Sequence, residues 1–336
     1  MKRPKFISII TTYRCNFRCH MCNIWQHPSA AQDELTPAEI ARLPEVDTIN
    51  LTGGEPFLRQ DLAEILTVLR PKTRRLVIST NGYLTNQILD VAEKHPWIGV
   101  RISVEGLPAV NDLLRGVNGA FENTITTLTE LAHRGLRDIG FGITLSDRNA
   151  ASLMPLYHLA KMLRVEFATA AVHNSFYFHK ADNTIKGPQE ISAALLRLVE
   201  ELLASRRPKD WFRAYFNWGL LHHIRGGERL LPCKMGMHAC FLDPFGDVLP
   251  CNGTPEKITL GNIREQSFEA IWNSRRADEV RKSLAGCERG CWMMGSVAGA
   301  MKDSLPKVAK WVLTAKCRGT GSLIPPSHSV TPEESF

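Results

Sequence analysis

The chain carries, at residues 11–22, the run Thr11-Thr12-Tyr13-Arg14-Cys15-Asn16-Phe17-Arg18-Cys19-His20-Met21-Cys22. Its three cysteines have the spacing C-x3-C-x2-C and directly follow an apolar, β-branched segment. Because so short a loop brings its sulfurs to one point, the three thiolates suit three corners of a [4Fe-4S] cluster. The fourth iron then has no protein ligand and is open to a small chelating molecule. Two other interpretations fit the triplet alone: a zinc site completed by His20, and a set of buried free thiols.

A second motif follows the next predicted strand. Residues 48–52 are short and β-branched, and they run into Gly53-Gly54-Glu55-Pro56. Two glycines let the backbone approach a ligand closely, and the carboxylate beside them can accept hydrogen bonds from an ammonium group. A plain turn is the alternative for this tetrapeptide. Its position one βα unit after the cysteines favours a ligand site.

Together the two motifs resemble the radical S-adenosylmethionine (SAM) superfamily. The resemblance implies that Cys15, Cys19 and Cys22 hold a [4Fe-4S] cluster whose open iron takes the amino and carboxylate groups of SAM. One electron then cleaves the sulfonium and gives a 5'-deoxyadenosyl radical. The resemblance also implies a set of SAM-binding residues: Met21, Gly53, Gly54, Glu55, Ser103 and Arg115. The chain departs from the family where Glu105 replaces the usual Asp, and Arg115 is equally well explained as an exposed arginine at a helix start.

Composition limits the class of protein. The 336 residues are 44% hydrophobic and 22% charged, as in ordinary globular domains. The net charge of +7 is scattered, which indicates a solvated surface suited to an anionic substrate or cofactor and predicts no nucleic-acid partner. No apolar run approaches the ~20 residues of a transmembrane segment, and the apolar part of the N-terminus is too short for a secretion signal. We therefore predict a cytoplasmic protein whose nine cysteines serve as metal or redox ligands.

Strands and helices alternate along the first half of the chain. The predicted strands are residues 6–12, 48–52, 75–79, 99–104, 138–145 and 165–172. Units of this length favour parallel strands with helices outside. The resemblance implies the superfamily's partial (β/α)6 TIM-like barrel, so the predicted fold class is α/β with a small C-terminal α+β iron-sulfur domain.

A loop rich in functional side chains follows the sixth predicted strand. Residues 173–183 contain two histidines, three aromatic residues, a lysine and an aspartate. Because the carboxyl ends of parallel strands share one rim, we predict that this loop forms a wall of the substrate site. A surface loop whose aromatic rings pack on the end of the barrel is the alternative.

From residue 231 the chain becomes rich in cysteine. The six cysteines of this part are Cys233, Cys240, Cys251, Cys287, Cys291 and Cys317. Residues 241–251 predict a β-hairpin with Gly246-Asp247 at its turn. The spacing of Cys233, Gly246 and Cys251, the Gly-Asn-Ile and Ile-Trp-Asn elements, and the final C-x3-C pair resemble SPASM and twitch auxiliary-cluster domains over about residues 231–295. A zinc ribbon is the alternative, but it does not account for the partnership with the first motif.

The cysteine count predicts one auxiliary [4Fe-4S] cluster and not two. Six cysteines lie outside the first triplet, whereas two four-cysteine clusters need eight. By position in the family pattern, the resemblance implies Cys233, Cys240, Cys251 and Cys291 as ligands. Cys287 is a close substitute for one of them, and Cys317 is left over.

The predicted domains are a radical SAM partial barrel at 1–185, linking helices at 186–230, a SPASM/twitch-like domain at 231–299, and a basic helix with a disordered tail at 300–336. The amphipathic pattern of residues 188–205 predicts a core or interface helix. The helix predicted at 300–316 docks on the protein, with weak contact to a membrane surface as the alternative.

These features predict an enzyme, in the oxidoreductase class, that uses SAM to abstract hydrogen from a small polar or sugar-like substrate. An electron donor such as flavodoxin or ferredoxin is the expected partner, and the auxiliary cluster takes an electron from the substrate or helps to hold it. A peptide-modifying maturase is the alternative, disfavoured because the cysteine motif begins at residue 15 and leaves no place before it for a leader-binding domain. A non-catalytic iron-sulfur carrier is a different class, and Gly53-Gly54-Glu55 argues against it.

Overall fold

A computed structural model describes residues 3–320 of the chain. Its first six strands lie side by side in sequence order, and every neighbouring pair is parallel. The strands are β1 (Phe6–Ile10), β2 (Val46–Thr52), β3 (Thr73–Thr80), β4 (Gly99–Ser103), β5 (Ile139–Leu145) and β6 (Glu166–Ala171). The predicted α/β class with a parallel partial barrel is confirmed.

Helices connect these strands and cover the sheet. Those between the strands are α1 (Pro37–Ile40), α2 (Leu62–Leu69), α3 (Thr85–Lys94), α4 (Pro108–Arg115), α5 (Ala120–His133) and α6 (Leu153–Leu163). Those after β6 are α7 (Pro188–Ala204), α8 (Pro208–Ile224), α9 (Phe268–Trp272), α10 (Arg275–Ala285), α11 (Met294–Asp303) and α12 (Leu305–Arg318). Central strand residues such as Ile49, Leu76 and Val100 are fully buried, as expected for a parallel sheet covered on both faces.

The start of α1 shows how the sequence fixes a helix boundary. The Thr36 backbone N–H donates to Glu39 Oε2 at 2.8 Å, and the Glu39 N–H donates to Thr36 Oγ1 at 3.3 Å. Pro37 occupies the first helical position, where no N–H is needed. This capping box satisfies donors that the helix itself leaves unpaired, and it fixes the start of α1 at Pro37.

Three C-terminal strands extend the same sheet. They are β7 (Ala239–Leu242), β8 (Asp247–Leu249) and β9 (Gly261–Asn262). β7 pairs in parallel with β1, and β8 folds back on β7 as the predicted hairpin. Gly246 has a φ of +97°, a left-handed conformation that the turn requires and that glycine adopts without strain. The cysteine-rich region is therefore joined to the barrel through backbone pairing at β1.

The C-terminal basic segment is two helices, whereas one was predicted over 300–316. The chain breaks between α11 and α12 at Ser304, and Pro306 lies in the first turn of α12, where its ring is tolerated. Val308, Trp311 and Val312 are buried against the protein, so the predicted docking is confirmed. The tail predicted to be disordered falls, from residue 321 onward, outside the described residues.

None of the helices within residues 3–320 combines the length and the apolar character needed to cross a bilayer.

Candidate functional site

The cysteine loop follows β1 directly, and its three thiols line one cavity of about 210 Å³. The cavity is also lined by most of the residues that the sequence predicts to bind SAM: Met21, Gly53, Gly54, Ser103 and Arg115. Burial raises the pKa of the Cys15 and Cys22 thiols to about 12, and Cys15 and Cys22 each interact electrostatically with Cys19. The structure therefore brings the C-x3-C-x2-C triplet to one point, as its spacing predicts.

The C-terminal end of α4 supports this loop. The Arg18 N–H donates to the Arg115 carbonyl at 3.3 Å, and the His20 N–H donates to the Leu114 carbonyl at 2.8 Å. The next residue, Gly116, has a φ of +69°, and a Cβ there would lie 2.4 Å from the Arg18 carbonyl oxygen. A glycine is required at this contact, which explains the Arg-Gly pair in the sequence.

The two glycines of the second motif pack against the backbone at the start of the same loop. The Gly54 N–H donates to the Thr12 carbonyl at 2.8 Å, and the Glu55 N–H donates to the Arg14 carbonyl at 2.8 Å. A Cβ on Gly53 would lie 2.4 Å from the Thr12 oxygen, and one on Gly54 would lie 2.1 Å from the Arg14 oxygen. The glycines therefore have a structural role as well, because they let the backbone at residues 53–54 contact the backbone at residues 12–14, just before the cysteines.

The carboxylate of Glu55 lies behind the cavity wall. It is fully buried and accepts hydrogen bonds from Thr80 Oγ1 at 2.8 Å, from the Asn81 N–H at 2.7 Å and from the Phe57 N–H at 3.2 Å. Burial raises its pKa, and these donors oppose the shift. Thr80 and Asn81 line the cavity, so Glu55 fixes the end of β3 that faces it.

A buried ion pair, Arg115 with Glu105, also lines the cavity. Arg115 Nη1 lies 3.5 Å from Glu105 Oε1, and the Arg115 guanidinium lies 5.0 Å from the centre of the Phe17 ring. Arg115 is buried, not exposed, and its Nε has no hydrogen-bonding partner among the described residues. Burial lowers the pKa of Arg115, but the nearby Cys19, Glu105 and Cys15 outweigh it and the pKa is raised. The cavity thus holds a fixed positive charge between thiols and a carboxylate.

A second buried network escaped the sequence analysis. The Glu34 carboxylate accepts hydrogen bonds from Thr12 Oγ1 at 2.5 Å, from Ser29 Oγ at 2.6 Å and from Arg14 Nη2 at 2.8 Å, and Arg59 Nη1 lies 3.5 Å away. Thr12 and Arg14 begin the cysteine loop, so one buried acid anchors its start. No local pattern identifies Glu34, because its partners lie 5 to 25 residues away along the chain.

We expect Glu34→Gln to destabilise the protein by about 1–3 kcal/mol, because Arg14 loses its anion and the Thr12 and Ser29 hydroxyls lose a charged acceptor, whereas Arg59 keeps its ion pair with Asp61. Urea unfolding measures the loss. Glu93→Gln is the matched control, since Glu93 forms an exposed ion pair with Arg134 and its removal costs about 0–1 kcal/mol. Equal effects of the two substitutions would show that the Glu34 network does not anchor the loop.

A larger cavity of about 1490 Å³ adjoins the first one. His173 and Tyr177 line both cavities, so they stand where the two meet. His173 Nδ1 lies 3.3 Å from the Ala171 carbonyl oxygen, and its Nε2 is buried without a partner among the described residues. Burial lowers the pKa of His173, which keeps the ring neutral at pH 7. With Nδ1–H donating to Ala171, Nε2 is an acceptor for a bound molecule.

The loop at 173–183, predicted as a substrate wall, lines the larger cavity and ties two regions together. On one side, Asn183 Nδ2 donates to the Met21 carbonyl at 3.0 Å, and Tyr177 Oη donates to the Gly53 carbonyl at 2.8 Å. On the other side, Ser175 Oγ donates to the Asn252 carbonyl, and the Phe176 N–H donates to the Thr254 carbonyl at 3.4 Å. The wall therefore spans from the cysteine loop to the cysteine-rich domain.

Four C-terminal cysteines form a second group beside the larger cavity. The pKa of the Cys251 thiol is raised to about 11, mainly by burial and in addition by the nearby thiols Cys291, Cys233 and Cys287. Cys287 and Cys291 line the cavity. In the structure, Cys287 therefore lies near Cys233, Cys251 and Cys291, three of the four cysteines that the family pattern implies as ligands.

Cys240, also ranked among the likeliest ligands, lies elsewhere. It is a residue of β7 and is fully buried in the apolar core. Burial raises the pKa of its thiol, and Arg281 opposes this shift. Within the described chain, no other cysteine is among the groups that shift the pKa of Cys240. Cys317 is exposed near the end of α12. The structure therefore does not bring Cys240 to the other four, and the proposed ligands are Cys233, Cys251, Cys287 and Cys291.

Both groups fit iron-sulfur clusters by their donor chemistry. All nine cysteines are free thiols, and each group consists of sulfur donors alone. A cubane cluster spreads its thiolates over several iron atoms. Within residues 3–320, no group of three or more His, Cys, Asp or Glu side chains is arranged around a single metal ion.

Comparison with known proteins gives two family matches. Residues 9–159 match the Radical SAM superfamily, and residues 233–292 match SPASM, an iron-sulfur cluster-binding domain. The matched segments contain the two cysteine groups described above.

Two curated proteins illustrate the similarity. The chain is 28% identical over 296 residues to pre-heme d1 synthase of Dinoroseobacter shibae, covering 78% of this chain and 71% of that protein. It is 26% identical over 279 residues to the antilisterial bacteriocin subtilosin biosynthesis protein AlbA of Bacillus subtilis, covering 81% of this chain and 60% of that protein.

Among solved structures, the chain resembles native anSMEcpe with bound AdoMet and Cp18Cys peptide. The TM-score is 0.64 at 15% sequence identity, and the match covers 93% of this chain and 99% of the other. At this identity the likeness shows a shared fold.

Proposed function

The chain belongs to the radical SAM superfamily and carries a SPASM domain, and on that premise we propose that it abstracts hydrogen from a small polar substrate bound between its two cysteine groups. It is an enzyme that uses a [4Fe-4S] cluster and SAM, and its SPASM domain binds auxiliary iron-sulfur. In this family, SAM bound at the first cluster supplies a 5'-deoxyadenosyl radical after one-electron reduction. An external donor such as flavodoxin or ferredoxin is proposed as the source of that electron.

We assign the residues of the first cavity to holding these groups. Cys15, Cys19 and Cys22 would ligate the cluster. The backbone at Gly53 and Gly54, together with Ser103, lines the same space and would contact SAM. Glu55 would act by fixing Thr80 and Asn81, since its carboxylate is occupied by hydrogen bonds from the protein.

Arg115 is suited to the carboxylate of SAM. It is a buried cation with an unpaired Nε, held over the Phe17 ring and 3.5 Å from Glu105. A buried arginine with free donors favours a carboxylate partner. The sequence offered an exposed arginine as the alternative, and burial argues against it.

The adjacency of the two cavities carries the proposal. His173 and Tyr177 line both, so a molecule in the larger cavity lies next to the first one. Apolar side chains, among them Phe17, Ile24 and Phe178, form part of the wall of the smaller cavity and would keep water away from a molecule bound there. Exclusion of water protects a reactive carbon radical from side reactions.

The walls of the larger cavity favour a polar substrate. Asn174, Asn183, His173 and Lys180 line it, and the neutral His173 Nε2 can accept a hydrogen bond from a hydroxyl group at the passage. Hydroxyl and amide groups are features of a sugar-like metabolite.

A larger substrate is the second candidate. The cavity of about 1490 Å³ exceeds the roughly 300–1,000 Å³ typical of small-molecule sites. The similar proteins are named as a pre-heme d1 synthase and a bacteriocin biosynthesis protein, which favours a tetrapyrrole or a peptide as the larger molecule.

Deuterium transfer tests the proposal and identifies the substrate. Reduced, cluster-loaded enzyme and SAM are incubated with fractions of an extract from cells grown in deuterated medium. We expect 5'-deoxyadenosine to gain about one mass unit in the fraction that holds the substrate, because the abstracted atom is deuterium. Mass spectrometry of that fraction separates a small metabolite from a tetrapyrrole or peptide. If 5'-deoxyadenosine stays unlabelled with every fraction, hydrogen abstraction is the wrong assignment.

A further inference from the structure

The larger cavity contains an arginine whose cation has no carboxylate partner. Arg229 Nε donates to the Leu231 carbonyl at 2.7 Å, and its Nη2 donates to the Ser296 carbonyl at 3.1 Å and to Ser296 Oγ at 3.2 Å. Within residues 3–320 no hydrogen bond occupies its Nη1, and no acidic side chain forms an ion pair with it. These neutral contacts fix the guanidinium on the wall while one donor group remains available.

A second arginine, Arg289, lines the same cavity. It is exposed, and in the described part of the chain it forms no hydrogen bond or ion pair. The other long cations of the cavity are already neutralised, since Lys180 pairs with Asp182 at 2.9 Å and Lys257 pairs with Asp243 at 2.6 Å. Two arginines are therefore left to act on a bound molecule.

Arg229 acts on a neighbouring residue of the cavity wall. The pKa of His223, another residue of the cavity wall, is lowered to about 4, mainly by burial and then by His173 and Arg229. A Cβ on Gly290 would lie 3.9 Å from the Gly227 carbonyl oxygen, so the segments that carry Arg289 and Arg229 stand side by side on the cavity wall, together with Cys291. Glu228 and Glu288 also line the cavity, but neither forms an ion pair with either arginine.

We propose that Arg229 and Arg289 bind an oxyanion group of the substrate, a carboxylate or a phosphate, at the end of the cavity beside Cys287 and Cys291. Guanidinium groups with free donors match the geometry of both anions. The inference rests on the proposed function, and it orients the substrate: its anionic end lies near the C-terminal cysteines, and its neutral end passes His173 toward the first cavity.

Calorimetric titration of the cluster-loaded protein, without SAM, tests the site. The probes are inorganic pyrophosphate in one arm and succinate in the other, so the arms distinguish phosphate from carboxylate. We expect saturable binding of at least one probe at one site per chain. Arg229→Gln should weaken it about tenfold or more, in keeping with a lost charge-assisted hydrogen bond, and Arg229→Lys should weaken it less.

Arg289→Gln guards against a folding defect, because Arg289 is exposed and forms no hydrogen bond or ion pair with another described residue, so we expect its loss to leave the fold intact. It should weaken binding several-fold. Arg275→Gln is the matched control, since Arg275 is 93% exposed on α10, and it should bind as the wild type does.

The proposal is overturned if neither probe binds saturably, or if the control variant loses as much affinity as the two cavity variants. A further outcome also overturns it: neither probe binds the wild type, and the reduction potential of the auxiliary cluster is lower in Arg229→Gln than in the wild type. That result would show that Arg229 serves only to balance the charge of the cluster. Because no SAM is present, this result is independent of whether the wild type cleaves SAM, so the two proposals fail separately.

Discussion

Enzyme in which Cys15, Cys19 and Cys22 are all replaced by Ala is expected to form no 5'-deoxyadenosine from SAM under reducing conditions. The three thiols line one buried cavity with Gly53 and Gly54, and no other cysteine lines that cavity. Without them the first cluster has no protein ligands, so SAM has no iron to chelate. Chromatography of anaerobic reaction mixtures measures the product, which should fall to the level seen without enzyme.

The triple variant should keep its second cluster, visible by absorption and electron paramagnetic resonance. That signal shows that the chain still folds, because the C-terminal cysteines lie on elements joined to the barrel through β7 and β1. Continued cleavage of SAM by the triple variant would refute the assignment of the catalytic cluster.

The second large effect concerns the auxiliary site. The anaerobically purified wild type should contain about eight irons per chain, four for each of two clusters. The double variant Cys251→Ala, Cys291→Ala should lose about four of them, because it removes two of the four neighbouring thiols, Cys233, Cys251, Cys287 and Cys291, that we propose as ligands of the second cluster. Iron analysis against protein concentration measures the loss.

Cys240→Ala is the matched control, since Cys240 lies in the core on β7 and should keep about eight irons. Cys287→Ala should reduce the iron content, unlike Cys240→Ala. Loss of iron in Cys240→Ala but not in Cys287→Ala would support the ligand set predicted from the sequence, which contains Cys240 in place of Cys287. About twelve irons per chain in the wild type would refute a single auxiliary cluster.

Sequence reasoning succeeded where the determining residues are close together in the chain. The C-x3-C-x2-C loop, the glycine pair after β2 and the hairpin turn at Gly246 each depend on fewer than about ten residues. Local chemistry fixes such features, because spacing and backbone freedom suffice to specify them. The predicted alternation of strands and helices likewise gave the parallel sheet, since each βα unit depends on its own periodicity.

The Glu34 network illustrates what local reasoning omits. Its partners are Thr12, Ser29, Arg14 and Arg59, which converge only when β1, β2 and the loops after each of them are in place. A buried acid with distant partners carries no sequence signature, because an isolated glutamate is most often exposed.

The sequence by itself determined the fold class, the first cysteine triplet, the glycine motif and the number of thiols available for a second site. Only the tertiary structure decided that Cys287 and not Cys240 joins the second group, that Glu55 lies behind the cavity wall, and that β7 extends the sheet at β1. The physical reason is that these outcomes depend on contacts between segments up to about 230 residues apart. In such contacts, the position of a side chain in the packed fold decides which of several residues of the same chemical type reaches a site. Spacing along the chain does not decide this.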